Sequence, residues 1–198
     1  MALLHLTQTD YSLSRWSGGT TTQVAIMPAD AVYARRDFLW RISSAGVELE
    51  ESDFTALPDY DRWISTVQGE MRLTHNGGPV ISLSPYQVHA FDGGADTHSW
   101  GQCTDFNLML RKGLAAGELR PVRLTPGSTE TVTCQMETAF PRAALLLFCG
   151  EGSAAVALGD QALQLHPMEA ALLEDAASQT LRVSAEGAVS LLLAEVHW

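Results

Sequence analysis

Residues 63–85, WISTVQGEMRLTHNGGPVISLSP, contain the pattern that decides the fold. The apolar and β-branched run Trp63–Gln68 stops at Gly69, which predicts a strand closed by a glycine. Two further strand-like runs flank Asn76-Gly77, and an Asn-Gly pair between such runs is a strong signal for a β-hairpin. Pro85 then separates the hairpin from the next run. The stretch therefore predicts a strand, a glycine, a hairpin, a proline and another strand, in that order.

The same order of signals returns in the second half of the chain. Gly150 is matched with Gly69, and Pro167 is matched with Pro85. A leucine lies two residues before each of these prolines. A unit that recurs at a long and nearly constant offset indicates two structurally equivalent halves.

Most of the remaining chain consists of short strand-like runs between Gly, Pro, Asn and Asp. Phe38–Ala45 and Thr104–Leu110 alternate as strands do, whereas one or two turns of helix are predicted only for Arg111–Leu119. A strand–hairpin–strand unit of this kind resembles the jelly-roll or cupin motif. We therefore expect an all-β bicupin with two jelly-roll-like β-barrels. The first would span residues 1–112, and a linker and the second barrel would span residues 113–198.

The composition restricts the class of partner. The formal net charge is −11, and ten of the twelve basic residues lie at or before Arg123. We expect such a chain to bind neither nucleic acid nor an anionic membrane surface, because both are bound through a basic face. An anion-binding pocket, if one exists, must draw its positive charge from the N-terminal half.

The cysteines and the apolar runs indicate the compartment. Cys103, Cys134 and Cys149 form no CxxC pair, and an odd, sparse set fits reduced thiols rather than a disulfide framework. The N-terminal run lacks the basic segment of a signal peptide, and no apolar stretch is long enough to span a bilayer. We expect a cytoplasmic protein that does not bind membranes.

Histidine spacing argues against a metal centre of the cupin type. Such a centre needs two closely spaced histidines and a carboxylate before the strand-closing glycine, and a third histidine after the proline. The run Phe54–Gln68 before Gly69 has no histidine, His89 alone follows Pro85, and none follows closely after Pro167. We expect no metal and no cofactor.

Arg41 and Arg62 are the main candidates for binding an anion. Arg41 lies in the middle of an apolar strand and has no acidic neighbour in sequence. If its guanidinium points into the barrel, it can hold a carboxylate through two parallel hydrogen bonds. Arg62 precedes an apolar strand, but Asp59 and Asp61 are close enough to pair with it, and this alternative stays open.

Other polar residues are candidates for completing the site. Asp105 and Asn107 share one face of a strand whose other face is apolar. Ser17–Thr22 is predicted to be a loop whose backbone N–H groups can face an anion, and we expect Trp16 beside it to touch a ligand. The candidate loop residues are Thr20, Thr21 and Thr22, whereas Trp40, Phe54, Phe91 and Phe106 are expected in the core.

His89 offers an alternative chemistry. It follows Pro85 near the expected mouth of the barrel, where Asp92 or Asp105 could orient it as a general base. This would make the protein a metal-independent isomerase or epimerase. The simpler interpretation is a polar residue at the rim of the barrel with local hydrogen bonds.

Four stretches of the first half together resemble the HutD/Ves family of double cupins. They are residues 16–23 (WSGGTTTQ), 38–45 (FLWRISSA), 54–62 (FTALPDYDR) and 104–111 (TDFNLMLR). The sequence departs from the family pattern at Ser17, where Lys-Asn is usual after the tryptophan, at Gln23, where Glu is usual, and at Asp59, where Gly is common. These departures concern mainly the first of the four stretches.

The resemblance implies a protein linked to histidine utilisation. It would bind an intermediate of the pathway, N-formylglutamate being the usual candidate, and would restrain expression of the catabolic genes without catalysing a step. The first barrel would hold this small acidic metabolite, and the second would be structural or would form homodimer contacts. A module that binds another protein and no small ligand is a third interpretation, and it requires a filled barrel.

Overall fold

The computed structural model describes residues 2–135 and 138–198, and they fold into two compact units. One unit is Tyr11–Ala115, and the other combines Met1–Asp10 with Ala116–Trp198. Strand is the dominant structure in the described residues, where the one helical element is a 3-10 turn at Tyr33–Arg35. No helix within these residues has the length and apolar character needed to cross a membrane.

The unit Tyr11–Ala115 contains two antiparallel sheets. The larger sheet has the strands β2 (Ser12–Trp16), β3 (Gly19–Met27), β4 (Trp40–Val47), β11 (Cys103–Arg111), β6 (Tyr60–Gln68) and β9 (His89–Asp92), in that spatial order. The smaller sheet has β5 (Glu51–Asp53), β10 (Thr97–Trp100), β7 (Met71–His75) and β8 (Ile81–Leu83). Ile64 of the larger sheet packs against Met71, Leu73 and Leu83 of the smaller one.

The other unit repeats this plan. Its larger sheet has β1 (Leu3–Leu6), β17 (Ala170–Glu174), β14 (Ala143–Glu151), β19 (Val189–His197) and β12 (Ala116–Leu124), in that spatial order. Its smaller sheet has β13 (Thr129–Thr133), β18 (Thr180–Ser184), β15 (Ala154–Leu158) and β16 (Gln161–Leu165). Leucine, valine and alanine from both sheets form a continuous apolar core between them.

The two units therefore share eight strands in the same order, four in each sheet. This confirms the prediction of an all-β, jelly-roll bicupin. The two sheets of each unit stay separate along the described residues, so the backbone pairing does not close either unit into a complete barrel. The packing of two sheets face to face still leaves an interior between them.

The glycine that closes the repeated strand in the second unit is Gly152. Gly69 has φ +77° at the end of β6, and Gly152 has φ +79° at the end of β14, whereas Gly150 lies inside β14. A Cβ atom on Gly69 would lie 2.7 Å from the carbonyl oxygen of Gln102. The match of Gly150 with Gly69 in the sequence was therefore wrong by two residues. Gly150 lies at a register shift of β14, where Val67 occupies the equivalent position in β6.

Four local predictions were also wrong. Residues 19–22 belong to β3, so the expected loop Ser17–Thr22 shrinks to a tight turn between β2 and β3. Arg111–Leu119 forms no helix, and much of the expected linker after residue 112 is the pair of strands β12 and β13. Residues 3–6 were assigned to the first barrel, yet β1 pairs with β17.

Candidate functional site

A cavity of about 270 Å³ opens in the unit Tyr11–Ala115, and two buried arginines line it. Arg41 on β4 and Arg62 on β6 are both register partners of Met109 on β11. Since neighbouring strands are separated by about 4.8 Å, the two arginine Cα atoms lie roughly 10 Å apart across β11. The strand register therefore brings together two positive side chains that are distant in sequence.

Arg41 is held by neutral groups. Arg41 is buried, with only 5% of its surface exposed. Nε donates to Oε1 of Gln23 at 2.8 Å, and Nη1 donates to Oγ of Ser43 at 3.0 Å. The guanidinium carbon also lies 4.3 Å from the ring centre of Tyr33, a favourable cation–π position. Burial lowers the pKa of Arg41, because desolvation disfavours the charged form of the guanidinium.

Arg62 is equally buried, with 6% exposure. Nε donates to Oδ1 of Asn107 and Nη1 to the carbonyl oxygen of Thr55, both over a long 3.4 Å. Its guanidinium carbon lies 5.0 Å from the ring centre of Phe54 and 5.2 Å from that of Phe91. Burial lowers the pKa of Arg62 to about 10, so the group remains charged at neutral pH.

Neither guanidinium has a carboxylate partner among residues 2–135 and 138–198, where every ion pair involves other residues. The pairing of Arg62 with Asp59 or Asp61, left open by the sequence, does not occur. Two buried cations that lack anionic partners carry an uncompensated desolvation cost. The cavity that they line is therefore suited to an anion.

Asp105 is the buried carboxyl group of the cavity, and its protonation sets the cavity charge. Oδ1 accepts a hydrogen bond from the backbone N–H of Ala45 at 3.0 Å. Burial raises the pKa of Asp105 to about 7, and the N–H of Ala45 and the positive charges of Arg62 and Arg41 oppose this rise. The three side chains therefore carry a combined charge of +2 when Asp105 is protonated and +1 when it is ionised.

Asp53 is the other carboxylate at the cavity, and it lies at the rim. Its side chain is 79% exposed, and its Oδ1 is 2.6 Å from Nδ1 of His98. Solvent screens this charge more strongly than that of Asp105. The buried arginines are therefore the dominant charges in the interior of the cavity.

Only some of the remaining candidate residues line this cavity. Asn107, Trp16 and Thr21 line it, whereas Thr20 and Thr22 are absent from its lining, because the side chains of β3 alternate between the two faces of the sheet. The expectation that the three threonines share one site is therefore wrong for Thr20 and Thr22, which do not line this cavity. It rested on a loop, and a loop has no such alternation.

His89 lies outside the cavity lining, beside His75. The two Nε2 atoms are 2.9 Å apart, so one ring donates to the other, and burial lowers the pKa of both groups. Asp92 instead contacts Nζ of Lys112 at 2.7 Å, and Asp105 contacts Ala45. Neither predicted acid orients His89, so the base dyad of the isomerase interpretation is not formed.

Four contributors to the site escaped the sequence analysis as functional residues. Tyr33, Gln23 and Ser43 hold Arg41, and Phe54, which was expected in the core, faces Arg62. Ser43 had a visible signal, since it stands two residues from Arg41 on the same strand face. Tyr33 lies in a connection without strand periodicity, and no pattern could have located it.

Comparisons with known proteins agree with this architecture. The HutD family model matches residues 8–191. The conserved protein of unknown function PA5104 from Pseudomonas aeruginosa PAO1 is 26% identical, with a TM-score of 0.84 over 100% of both chains. HutD from Pseudomonas fluorescens SBW25, in a formate condition, is 25% identical, with a TM-score of 0.73 over 98% of this chain and 99% of that chain.

More distant structures share the fold alone. YhhW from Escherichia coli is 7% identical, with a TM-score of 0.72 over 98% of this chain and 97% of that chain. No curated protein matches the chain in sequence. The cupin-like fold is thus common to proteins whose residues have diverged almost completely.

Proposed function

The chain belongs to the HutD family, and on this premise we propose that its cavity binds a small dicarboxylate formed during histidine breakdown, with N-formylglutamate as the first candidate. The protein acts as a binding protein rather than an enzyme, and ligand binding modulates expression of the histidine-utilisation genes. The observation that carries the proposal is the presence beside one cavity of two buried guanidiniums that have no carboxylate partner in the part of the chain that the structure describes.

The charge and size of the cavity favour a ligand of this class. A dicarboxylate brings two negative charges, which match the +2 of the cavity when Asp105 is protonated. The separation of the arginines across β11 allows one carboxylate to approach each guanidinium. Pockets for drug-sized ligands usually have about 300–1,000 Å³, so a cavity of about 270 Å³ suits a smaller metabolite.

Asn107 and Asp105 add selectivity beyond charge. The amide of Asn107 contacts Arg62 through Oδ1, so its NH₂ group is left to donate to a formyl or carboxyl oxygen. A protonated Asp105 donates a hydrogen bond as well. A ligand with acceptors between its two carboxylates therefore gains more than a simple dianion of equal length.

Calorimetric titration tests the proposal directly. Wild-type protein should bind N-formylglutamate more tightly than glutamate, urocanate or histidine. Arg41→Gln and Arg62→Gln should each weaken binding by about 10- to 150-fold, because a hydrogen bond to a charged group contributes about 1.5–3 kcal/mol. Arg15→Gln is the matched control, since Arg15 is an exposed residue of β2 outside the cavity lining.

Two results would contradict the proposal. The first is the absence of binding heat with all four compounds for protein shown to be folded by circular dichroism. The second is unchanged affinity in both the Arg41 and the Arg62 variants, which would place any bound metabolite elsewhere. A reporter of histidine-utilisation gene expression, compared between wild type and Arg41→Gln, then tests the regulatory role separately.

A further inference from the structure

A second group of ligand-type side chains lies in the unit that contains Ala116–Trp198. The thiol of Cys134, the carboxylate of Glu195 and the imidazole of His197 each offer one atom, and these atoms all lie within 4.8 Å of one another. Cys134 follows β13, while Glu195 and His197 are two residues apart on β19 and so share one face of that strand. The topology thus assembles sulfur, oxygen and nitrogen donors from residues about 60 positions apart.

The hydrogen bonds inside this group leave it incomplete. Oε1 of Glu195 is 3.1 Å from Nε2 of His197 and accepts a hydrogen bond from the backbone N–H of Gln135, also at 3.1 Å. His197 is only 5% exposed, and within residues 2–135 and 138–198 its Nδ1 atom has no hydrogen-bond partner. Since Nε2 is the ring nitrogen that faces Glu195, a cation held by Nε2 would leave Nδ1 to be satisfied by a water molecule.

The donor set points to a particular class of cation. Zinc binds cysteine sulfur at about 2.3 Å and histidine nitrogen or carboxylate oxygen at about 2.0–2.2 Å, which places tetrahedral ligands roughly 3.3–3.8 Å apart. The observed limit of 4.8 Å needs only small side-chain movements to reach this spacing. Magnesium and calcium prefer sets of oxygen ligands, so a thiolate and an imidazole select against them.

We propose that Cys134, Glu195 and His197 bind one divalent cation of the zinc class in the second unit. Three protein ligands leave a fourth position open to water. Binding displaces the thiol proton, since only the thiolate is a good ligand. No sequence pattern indicated this site, because its members show neither CxxC nor closely spaced histidines. It also differs from the histidine-rich pattern of metal-binding cupins.

Cobalt(II) is the probe for the test, because it substitutes for zinc and reports its ligands by absorption. Full-length protein, stripped with a chelator, should bind one cobalt ion per chain and show a thiolate-to-cobalt charge-transfer band. Zinc should displace the cobalt and abolish the band. Cys134→Ser should abolish the band and weaken zinc binding by more than about 100-fold, because the loss of outer-shell partners alone costs about 10- to 100-fold.

Cys149→Ser is the matched control. Cys149 is another buried cysteine of the same unit, and its sulfur faces the carbonyl oxygens of Glu151 and Gly152. The Cys149→Ser variant should retain the cobalt band. A free thiol is mainly protonated at neutral pH, so zinc titrations in buffers of different ionisation enthalpy should show release of about one proton.

Two outcomes would overturn the proposal. One is a folded wild-type protein that shows no charge-transfer band and no zinc-binding heat. The other is a cobalt band that persists in Cys134→Ser or disappears equally in Cys149→Ser. His197→Gln keeps the thiol and should weaken zinc binding without removing the fold, so a destabilised cysteine variant does not leave the question open.

Discussion

Replacing Asp105 by asparagine should remove a specific part of the protein's response to pH. Asp105 is a carboxyl group with a pKa of about 7 in the folded protein, against 3.8 for the ordinary group. Between these values the folded protein holds a proton that the unfolded chain has released. The free energy of unfolding therefore falls as pH rises, by at most about 1.4 kcal/mol per pH unit from this group.

The size of the effect follows from the two pKa values. Between about pH 5.5 and about pH 8, Asp105 passes from mainly protonated to mainly ionised in the folded state, and its contribution to the free energy of unfolding falls by about 2 kcal/mol. Above this range the contribution has been lost in full. A loss of this size is substantial beside a typical stability of about 5–15 kcal/mol.

Urea unfolding of wild type and Asp105→Asn, at about pH 5.5 and at about pH 8, measures this change in the free energy of unfolding. Asparagine preserves an oxygen that can accept the hydrogen bond from Ala45, so the variant is expected to fold. Its stability relative to wild type should improve by about 2 kcal/mol at the higher pH. Asp30→Asn, which removes one negative charge at an exposed position, controls for net charge. An identical stability difference at both pH values would refute a buried carboxyl group with a raised pKa.

Three further predictions concern binding and the fold. Affinity of wild type for N-formylglutamate, measured by calorimetry, should fall as pH rises through about 7, while Asp105→Asn should bind with little pH dependence; equal profiles for the two would contradict the charge argument. Gly69→Ala should lower the free energy of unfolding by at least about 2 kcal/mol in thermal or urea unfolding, and the control Gly77→Ala should lower it by only about 1 kcal/mol. Both glycines have positive φ, but of the two only Gly69 has backbone atoms close to the position of an added Cβ atom. Leu193→Ala should cost about 2–5 kcal/mol in the same assay, since Leu193 is fully buried in the second core; a cost below that of Gly77→Ala would show that the core can collapse around the gap.

The strand pattern was readable from the sequence because local chemistry determines it. The hairpin at Asn76-Gly77 forms as predicted between β7 and β8. Strand alternation places Arg41 and Ser43 on one face of β4, and it places Asp105 and Asn107 on one face of β11. In the structure all four residues line the cavity. Periodicity of two along a strand is a local property, and it needs no knowledge of distant partners.

The remaining features depend on which strands become neighbours, and one sequence does not encode that locally. Register across β11 is what brings Arg41 and Arg62 to one cavity. Thr20 and Thr22 were misplaced because the β2–β3 hairpin is longer than its Gly-Gly signal indicated. His89 was assigned to nearby acids, yet its partner His75 comes from a strand of the other sheet.

The two units differ in how they fill the position that the arginine cavity occupies in the first unit. Arg62 lies seven residues before Gly69, and Leu145 lies seven before Gly152, so the two occupy equivalent positions. The strand register extends this equivalence to the next strand. The equivalent pairs are Arg62 and Leu145, Asn107 and Leu193, and Asp105 and Leu191.

The three leucines are fully buried in one apolar core, whereas their polar counterparts border open space. Apolar side chains gain free energy by filling the interior between two sheets, but two guanidiniums repel each other and cannot close the same space without an anion. At these equivalent positions, burial of the three leucines stabilises the second unit, whereas the first unit has polar and charged side chains beside a cavity.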